Sequence, residues 1–279
     1  MPKVPGVLLR ALSILLLAIW FVLIVYPMVW SLLGSIKDNP QLYANTWGIP
    51  RVAHFENYAR AWQEANIGGF FFNSILVTGF SVAGGVFLAV FAAYVIARFP
   101  MWITRAVFWV LTVSMMLPII LTLVPKFLML RKFGLLDSRL GLILIYIAGG
   151  IPFGVFLMES FYHHLPRDFE DSAYLDGASH FQTFWRIILP VSTAGMMVVS
   201  IFLFLRSWNE IYHAMIMLSS PEKFTIPIGM LRLVEIQQYA IEWGPILAGV
   251  VIVIVPILAF YIAAQKNIVS GLTSGAIKG

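Results

Sequence analysis

The stretch Asp168–Pro190 reads DFEDSAYLDGASHFQTFWRIILP. It gathers four acids (Asp168, Glu170, Asp171, Asp176), a glycine at 177 and an aromatic run closed by proline, in a chain of 279 residues that is 60% hydrophobic and only 11% charged. Soluble chains carry about a quarter charged residues, and the mean hydropathy here is +0.89. The acidic stretch is therefore a polar excursion within an integral membrane protein, and its flanks are to be read as spans.

A spanning helix needs about 20 mostly apolar residues. Six segments meet that length, at roughly 11–35, 71–97, 104–127, 139–161, 190–218 and 244–265. The expected fold class is all-α: a polytopic membrane protein with six transmembrane helices in one domain over 1–279, interrupted by a polar loop at 166–190. The apolar core of the first segment, Leu12 through Trp30, is longer than a signal-peptide h-region and no small-residue cleavage site follows closely, so it is read as retained. Both termini then share a side. Lysines and arginines divide almost evenly between the two sets of loops, but Lys3 and Arg10 precede the first span with no acid, whereas Lys37 on its other flank is followed by Asp38. That lean puts the termini, and the loop at 166–190, in the cytoplasm.

The spans carry marks of a packed bundle. Ser81, Gly85, Ala89, Ala93 and Ala97 recur every four residues and form a smooth ridge on which another helix can sit closely. Pro118, the group Gly149, Gly150 and Pro152, and Pro256 interrupt others, as packing kinks or where freed backbone groups line a pathway. The fifth span holds Arg206-Ser-Trp-Asn-Glu210, too polar to face lipid. Two readings fit: Arg206 and Glu210, four apart, form a mutual ion pair, or Asn209 and Glu210 line a path for a polar solute.

Other chemistry is excluded by what is missing from the sequence. There is no cysteine, no Gly-Lys-Ser/Thr of a Walker A loop and no GxSxG elbow, and the adjacent His163 and His164 splay apart on a helix, unlike an i, i+4 metal pair. No metal site is expected, and no catalytic constellation suggests an enzyme. The net charge of +5 is spread over loops without a basic run, which gives no ground for a nucleic-acid partner.

Within the opening stretch, Pro166 and Asp168 suit a helix start with Asp168 as N-cap and Glu170 and Asp171 in the first turn, where the helix dipole favours acids. That helix should run to about Asp176, with Gly177 in a left-handed turn. Ser179 can cap a second helix in which Phe181, Phe184, Trp185 and Ile188 make one apolar stripe, ended by Pro190. The stripe can lie on the bilayer, fold back onto its own bundle, or brace the first helix for a partner protein.

DSAYLDGASHFQTFWRIILP resembles the EAA loop of bacterial ABC importer membrane subunits: Asp171, Ser172 and Ala173 stand for Glu-Ala-Ala, Asp176, Gly177 and Ala178 for Asp-Gly-Ala, and Ile187, Leu189 and Pro190 for the closing Ile-x-Leu-Pro. Asp171 replaces the usual glutamate, with Glu170 just ahead of it, and Ala194 stands where a second proline often follows. FFNSILVT (71–78), AAYVIARF (92–99), SWNE (207–210) and GLTSGAIKG (271–279) are similar to the smaller six-span permease of maltose-type carbohydrate importers.

The resemblance implies an ATP-driven importer for a sugar or oligosaccharide, this chain forming half of the pathway. Its partners would be a second membrane permease, two cytoplasmic ABC ATPase subunits that hold ATP and Mg, an extracytoplasmic solute-binding protein, and membrane lipid. Glu170, Asp171, Ala173, Asp176, Gly177 and Ala178 would couple to the ATPase, with Glu170 and Asp171 both open as the contacting acid. Gly271, Thr273 and Gly275 of the tail would reach it too, and Asn209 and Glu210 remain candidates for the solute path. A permease for peptides, polyamines or phosphate is the alternative within this class, and an ATP-independent secondary transporter the alternative outside it.

Overall fold

Apolar runs without lipid-exposed backbone must be helical, and the computed structural model, which describes residues 4–63, 66–236 and 241–276, contains no strand among them. In chain order the helices are α1 (Val4–Gly34), α2 (Asn39–Ala44), α3 (Glu56–Gln63), α4 (Ile67–Arg98), α5 (Trp102–Ser114), α6 (Ile119–Lys132) and α7 (Arg139–His164). There follow α8 (Asp168–Leu175), α9 (His180–Thr183), a π-helical turn (Phe184–Ile188), α10 (Leu189–Val191), α11 (Thr193–Trp208), α12 (Tyr212–Met217), α13 (Ile226–Ile236) and α14 (Trp243–Ala276).

Among the described residues four helices are long and apolar enough to cross a membrane: α1 from Leu9, α4, α7, and α14 as far as Ala263. Two bent pairs, α5 with α6 at 111° and His180–Val191 with α11 at 71°, bring the number to six if each pair is one span. Where the sequence suggests one helix over 104–127, the chain breaks at Ser114–Pro118, because Pro118 has no N–H to donate and disfavours helical geometry at Leu117. The expected span 190–218 is likewise divided, at Ser192 and again between Trp208 and Tyr212. Pro152 and Pro256, by contrast, sit inside helices that continue through them.

The chain groups into two units, one of residues up to Gly68 with Gly229–Val255, the other of Gly69–Ile228 with the residues from Pro256 on. In the first, Asp38 caps α2 by accepting from the Gln41 N–H at 2.9 Å, and the amide of buried Asn57 donates to the carbonyls of Ser35 and Lys37 at 2.9 and 3.0 Å. Ala61, Ile67, Leu233, Ile246 and Ala248 form its core.

In the second unit the small ridge of α4 is buried at Ser81, Gly85, Ala89, Ala93 and Ala97. A Cβ added to Gly154 of α7 would lie 2.6 Å from the Ala89 Cβ, and one added to Gly150 would lie 2.7 Å from Leu203 of α11. Small residues on α4 and α7 thus let three helices approach closely, the packing role that such ridges serve in membranes.

Between α6 and α7, Asp137 adopts φ +50° and staples two loops together. Its carboxylate accepts from the N–H groups of Ser219 and Ser220, each at 2.9 Å, from the Ser220 hydroxyl, and from Lys223 Nζ at 2.8 Å. The Lys223 ammonium and the serine donors hold that carboxyl well below the usual carboxylate range. A depressed folded-state pKa contributes stability that is complete above the unfolded value of about 4 and is lost as pH falls towards the folded one. Asp137→Asn is therefore expected to lower the melting temperature at pH 7. The gap from wild type should narrow below about pH 4, and a gap that stays constant with pH would count against the staple.

Candidate functional site

The loop at 166–190 folds into two short helices joined by a turn whose hydrogen bonds account for its sequence. Asp168 is the first residue of α8 rather than its N-cap: Arg167 occupies the cap, with helical backbone angles and no side-chain bond. The chain enters from Pro166 already turned, so the Arg167 carbonyl accepts from Glu170 and Asp171 at 2.8 and 3.0 Å and leaves Asp168 inside the first turn. At the other end Gly177 takes φ +81°. The Ala178 N–H donates to the Ala173 carbonyl at 2.9 Å and the Gly177 N–H to that of Tyr174 at 3.0 Å, the paired bonds of a Schellman motif. Ser179 and Gln182 then form a capping box that starts α9.

The two faces of α8 differ in chemistry. Its inner face carries Glu170 and Ala173, both buried. Arg98, at the end of α4, donates through Nε to Glu170 Oε1 at 2.9 Å and through Nη2 to the Leu165 carbonyl at 2.9 Å. The two side chains of this pair are only 7% and 6% exposed. The sequence reading that offers Glu170 to a partner thus meets a carboxylate already bound within the chain, whereas Asp171 and Asp176 are exposed. Sequence reasoning also passed over Leu175, 89% exposed at the tip of α8. A single leucine between Tyr174 and Asp176 carries no signal of its exposure in the sequence.

The aromatic stripe divides. Phe184 and Ile188 are buried in the core formed by α4, α7 and α11, while Phe181 and Trp185 face outward. A π-helical turn spans this stretch, and in it the Leu189 N–H reaches back to the Phe184 carbonyl. Residues four apart still share a face, Phe184 with Ile188 and Phe181 with Trp185, so the stripe is two faces and not one. Tyr174 and His180 join α8 to α9 through a 2.7 Å hydrogen bond, and the His180 ring meets Phe99 at the end of α4.

The polar cluster of the fifth span lies where the helix stops. Because α11 ends at Trp208, Arg206 and Glu210 do not share a helical face. The Arg206 guanidinium donates to the Gly149 carbonyl. Glu210, buried, accepts from the Tyr146 hydroxyl at 2.7 Å, from the His213 N–H and ring Nδ1 at 2.9 Å each, and from the Ala214 N–H at 3.3 Å. It thereby supplies acceptors for N–H groups that the start of α12 leaves without helical partners. Asn209 is exposed and donates to the Leu205 carbonyl at 2.8 Å.

Gly271, Thr273 and Gly275 fall in the last turns of α14, and nothing of their side chains is described; residues 277–279 and Lys3 lie outside the described residues. Those residues include no group of three or more acids and histidines placed to hold a metal ion.

Residues 85–272 match the family described as binding-protein-dependent transport system inner membrane component. The chain is 35% identical, over 96% of its length and 89% of the relative's, to the diacetylchitobiose uptake system permease protein NgcG of Streptomyces coelicolor. It is 31% identical, over 96% of its length and 95% of the relative's, to the galactooligosaccharides transport system permease protein GanQ of Bacillus subtilis. Its fold matches a chain of a bacterial ABC transporter involved in the import of the acidic polysaccharide alginate, at a TM-score of 0.81 and 21% identity, covering 95% of this chain and 98% of that one.

Proposed function

We propose a sugar-uptake role from the premise that the chain belongs to the family of binding-protein-dependent transport system inner membrane components: it is a polytopic permease subunit of an ABC importer. Its solute is a sugar or short oligosaccharide, a reading supported by relatives whose names specify diacetylchitobiose and galactooligosaccharides. In it the chain pairs with a second permease to form one pathway, two ATPase subunits dock from the cytoplasm with ATP and Mg, and an extracytoplasmic protein delivers the solute. Both termini are cytoplasmic, and so is α8.

The observation that carries the coupling assignment is the two-sided chemistry of α8. An inner face tied to α4 through Arg98 and Glu170, and an outer face that leaves Asp171, Leu175 and Asp176 bare, suit a lever between a soluble partner and the bundle. On this reading Asp171 touches the ATPase and Glu170 passes the displacement on to α4. Leu175 enters the partner's groove, where an exposed apolar side chain gains about 1.5–3 kcal/mol on full burial. Gly177 and Ala178 hold the shape of the turn. Gly271, Thr273 and Gly275 add a second contact.

The test is to purify the complex through a tag on this chain and to identify the solute bound to its copurifying binding protein. A sugar, together with ATP-dependent uptake of it by reconstituted vesicles, is the expected result. A peptide or polyamine would move the assignment to another solute within the class, and uptake without ATP would overturn the importer reading. In the same vesicles Leu175→Asp should reduce ATPase recruitment at least ten-fold, and unchanged recruitment would remove Leu175 from the interface.

A further inference from the structure

A cavity of about 490 Å³ lies in the bend between α5 and α6, against α7 and α11. Its size is within the range of about 300–1,000 Å³ typical of small-molecule sites. Its walls are largely apolar, with Phe153 and Phe202 packed edge to face at 5.1 Å, and the charged side chains that line it are Lys126 and Arg206. No carboxylate among the described residues forms an ion pair with either.

The acid of this region, Glu210, is turned away from that space. Its oxygens are taken by Tyr146, by His213 and by the N–H of Ala214, and it is not among the groups lining the cavity. His213 relays between the charges: Lys126 Nζ lies 3.1 Å from Nε2 of a ring whose Nδ1 faces Glu210. An imidazole protonated on Nδ1 satisfies both neighbours, so the lysine donates one hydrogen bond to the ring and keeps the others for the cavity. Among the described residues Arg206 has a single acceptor, the Gly149 carbonyl, for its five donors. Two cations and one carboxylate leave this cluster one positive charge in excess, and the Arg206 side chain is exposed to the cavity.

Gly149 is part of the arrangement. A Cβ there would lie 2.8 Å from Arg206 Nη2, so a side chain at 149 would shift the end of the arginine from its place beside this cavity.

We propose that this cavity binds the acidic group of an anionic sugar, a carboxylate, sulfate or phosphate, with Arg206 as the fork and Lys126 as the second donor. Planar, bidentate recognition of such oxyanions is what a guanidinium does best, and Phe153 and Phe202 give the sugar an apolar wall. The proposal rests on the importer reading and narrows its substrate class.

The test uses the complete complex, this chain with its second permease and the ATPases, in lipid nanodiscs without binding protein. Glucuronate, glucose 6-phosphate, glucose 6-sulfate and glucose are titrated by calorimetry. At least one acidic probe is expected to bind ten-fold or more tightly than glucose, with the preference falling below two-fold in Arg206→Gln. Gly149→Ala should weaken it with the arginine still present, and Arg206→Lys should retain part of it. Should Arg206→Gln fail to fold, Gly149→Ala and Lys126→Gln carry the comparison. Glucose binding as tightly as every acidic probe, or a preference that survives both Gly149→Ala and Lys126→Gln, would overturn the site. Failure of the importer reading would show separately, as absence of ATPase from the purified complex.

Discussion

Gly177→Val should reduce solute-stimulated ATPase activity about ten-fold while the membrane subunits assemble normally. Gly177 holds φ +81°, where an L side chain costs about 1–2 kcal/mol and a β-branched one more. A difference of about 1.4 kcal/mol is a factor of ten in a local equilibrium. Nothing lies within 4 Å of where its Cβ would be, so the substitution acts on the backbone turn and leaves packing alone. The expected order of activity is Gly, then Asn, which tolerates the left-handed region, then Ala, then Val. The measurement pairs solute-stimulated ATP hydrolysis with recovery of the complex by affinity capture. Equal hydrolysis in the glycine and valine forms would sink the coupling role of α8.

Arg98→Ala is expected to have the largest effect on stability. It leaves Glu170 buried without its cation, and breaking a buried pair from one side typically costs about 3–5 kcal/mol. Removing both charges in Arg98→Met with Glu170→Leu should recover much of that loss, since a well-packed apolar pair is often as stable as a buried ionic one. Coupling should not recover with it, because the fixed geometry of the fork is gone. Asp171→Asn supplies the contrast: stability within about 0.5 kcal/mol of wild type, as for exposed sites generally, but weaker ATPase recruitment. Thermal denaturation and recruitment are measured on all four proteins. If Arg98→Ala melts with wild type, the pair does not hold α8. If Asp171→Asn recruits normally, the acid facing the ATPase has been misassigned.

What was legible in the sequence was local. The left-handed glycine at 177 and the serine cap at 179 follow from residue chemistry within a few positions, and the apolar segments from length and hydropathy alone. The buried partner of Glu170 was not legible, because Arg98 lies 72 residues away and nothing in a local period connects them. The Arg206–Glu210 reading failed for a related reason. Spacing by four puts residues on one face only while the helix lasts, and α11 stops at Trp208 with Glu210 capping the next helix. The breaks in the third and fifth spans are flagged in part by Pro118 but not by any residue at 209–211, where the surrounding acceptors rather than a helix breaker release the backbone. The charged wall of the cavity combines Lys126, which the sequence shows only as one more basic residue near a span's end, with Arg206 across α7.

The π-helical turn at Phe184–Ile188 sets an angle. Each residue added to or removed from an α-helix turns everything beyond it by about 100° and moves it by about 1.5 Å. A wide turn of this kind is equivalent to one residue in excess, so the direction in which α8 and α9 leave α10 is indexed by a single position. Deleting one residue from 184–188 would restore regular winding and swing the acidic helix about a quarter of a circle around the axis of the helix His180–Val191. Its side chains would all remain, and Asp171 would point elsewhere. The bearing of this lever is thus written in the count of residues between Ser179 and Pro190 as much as in their identities.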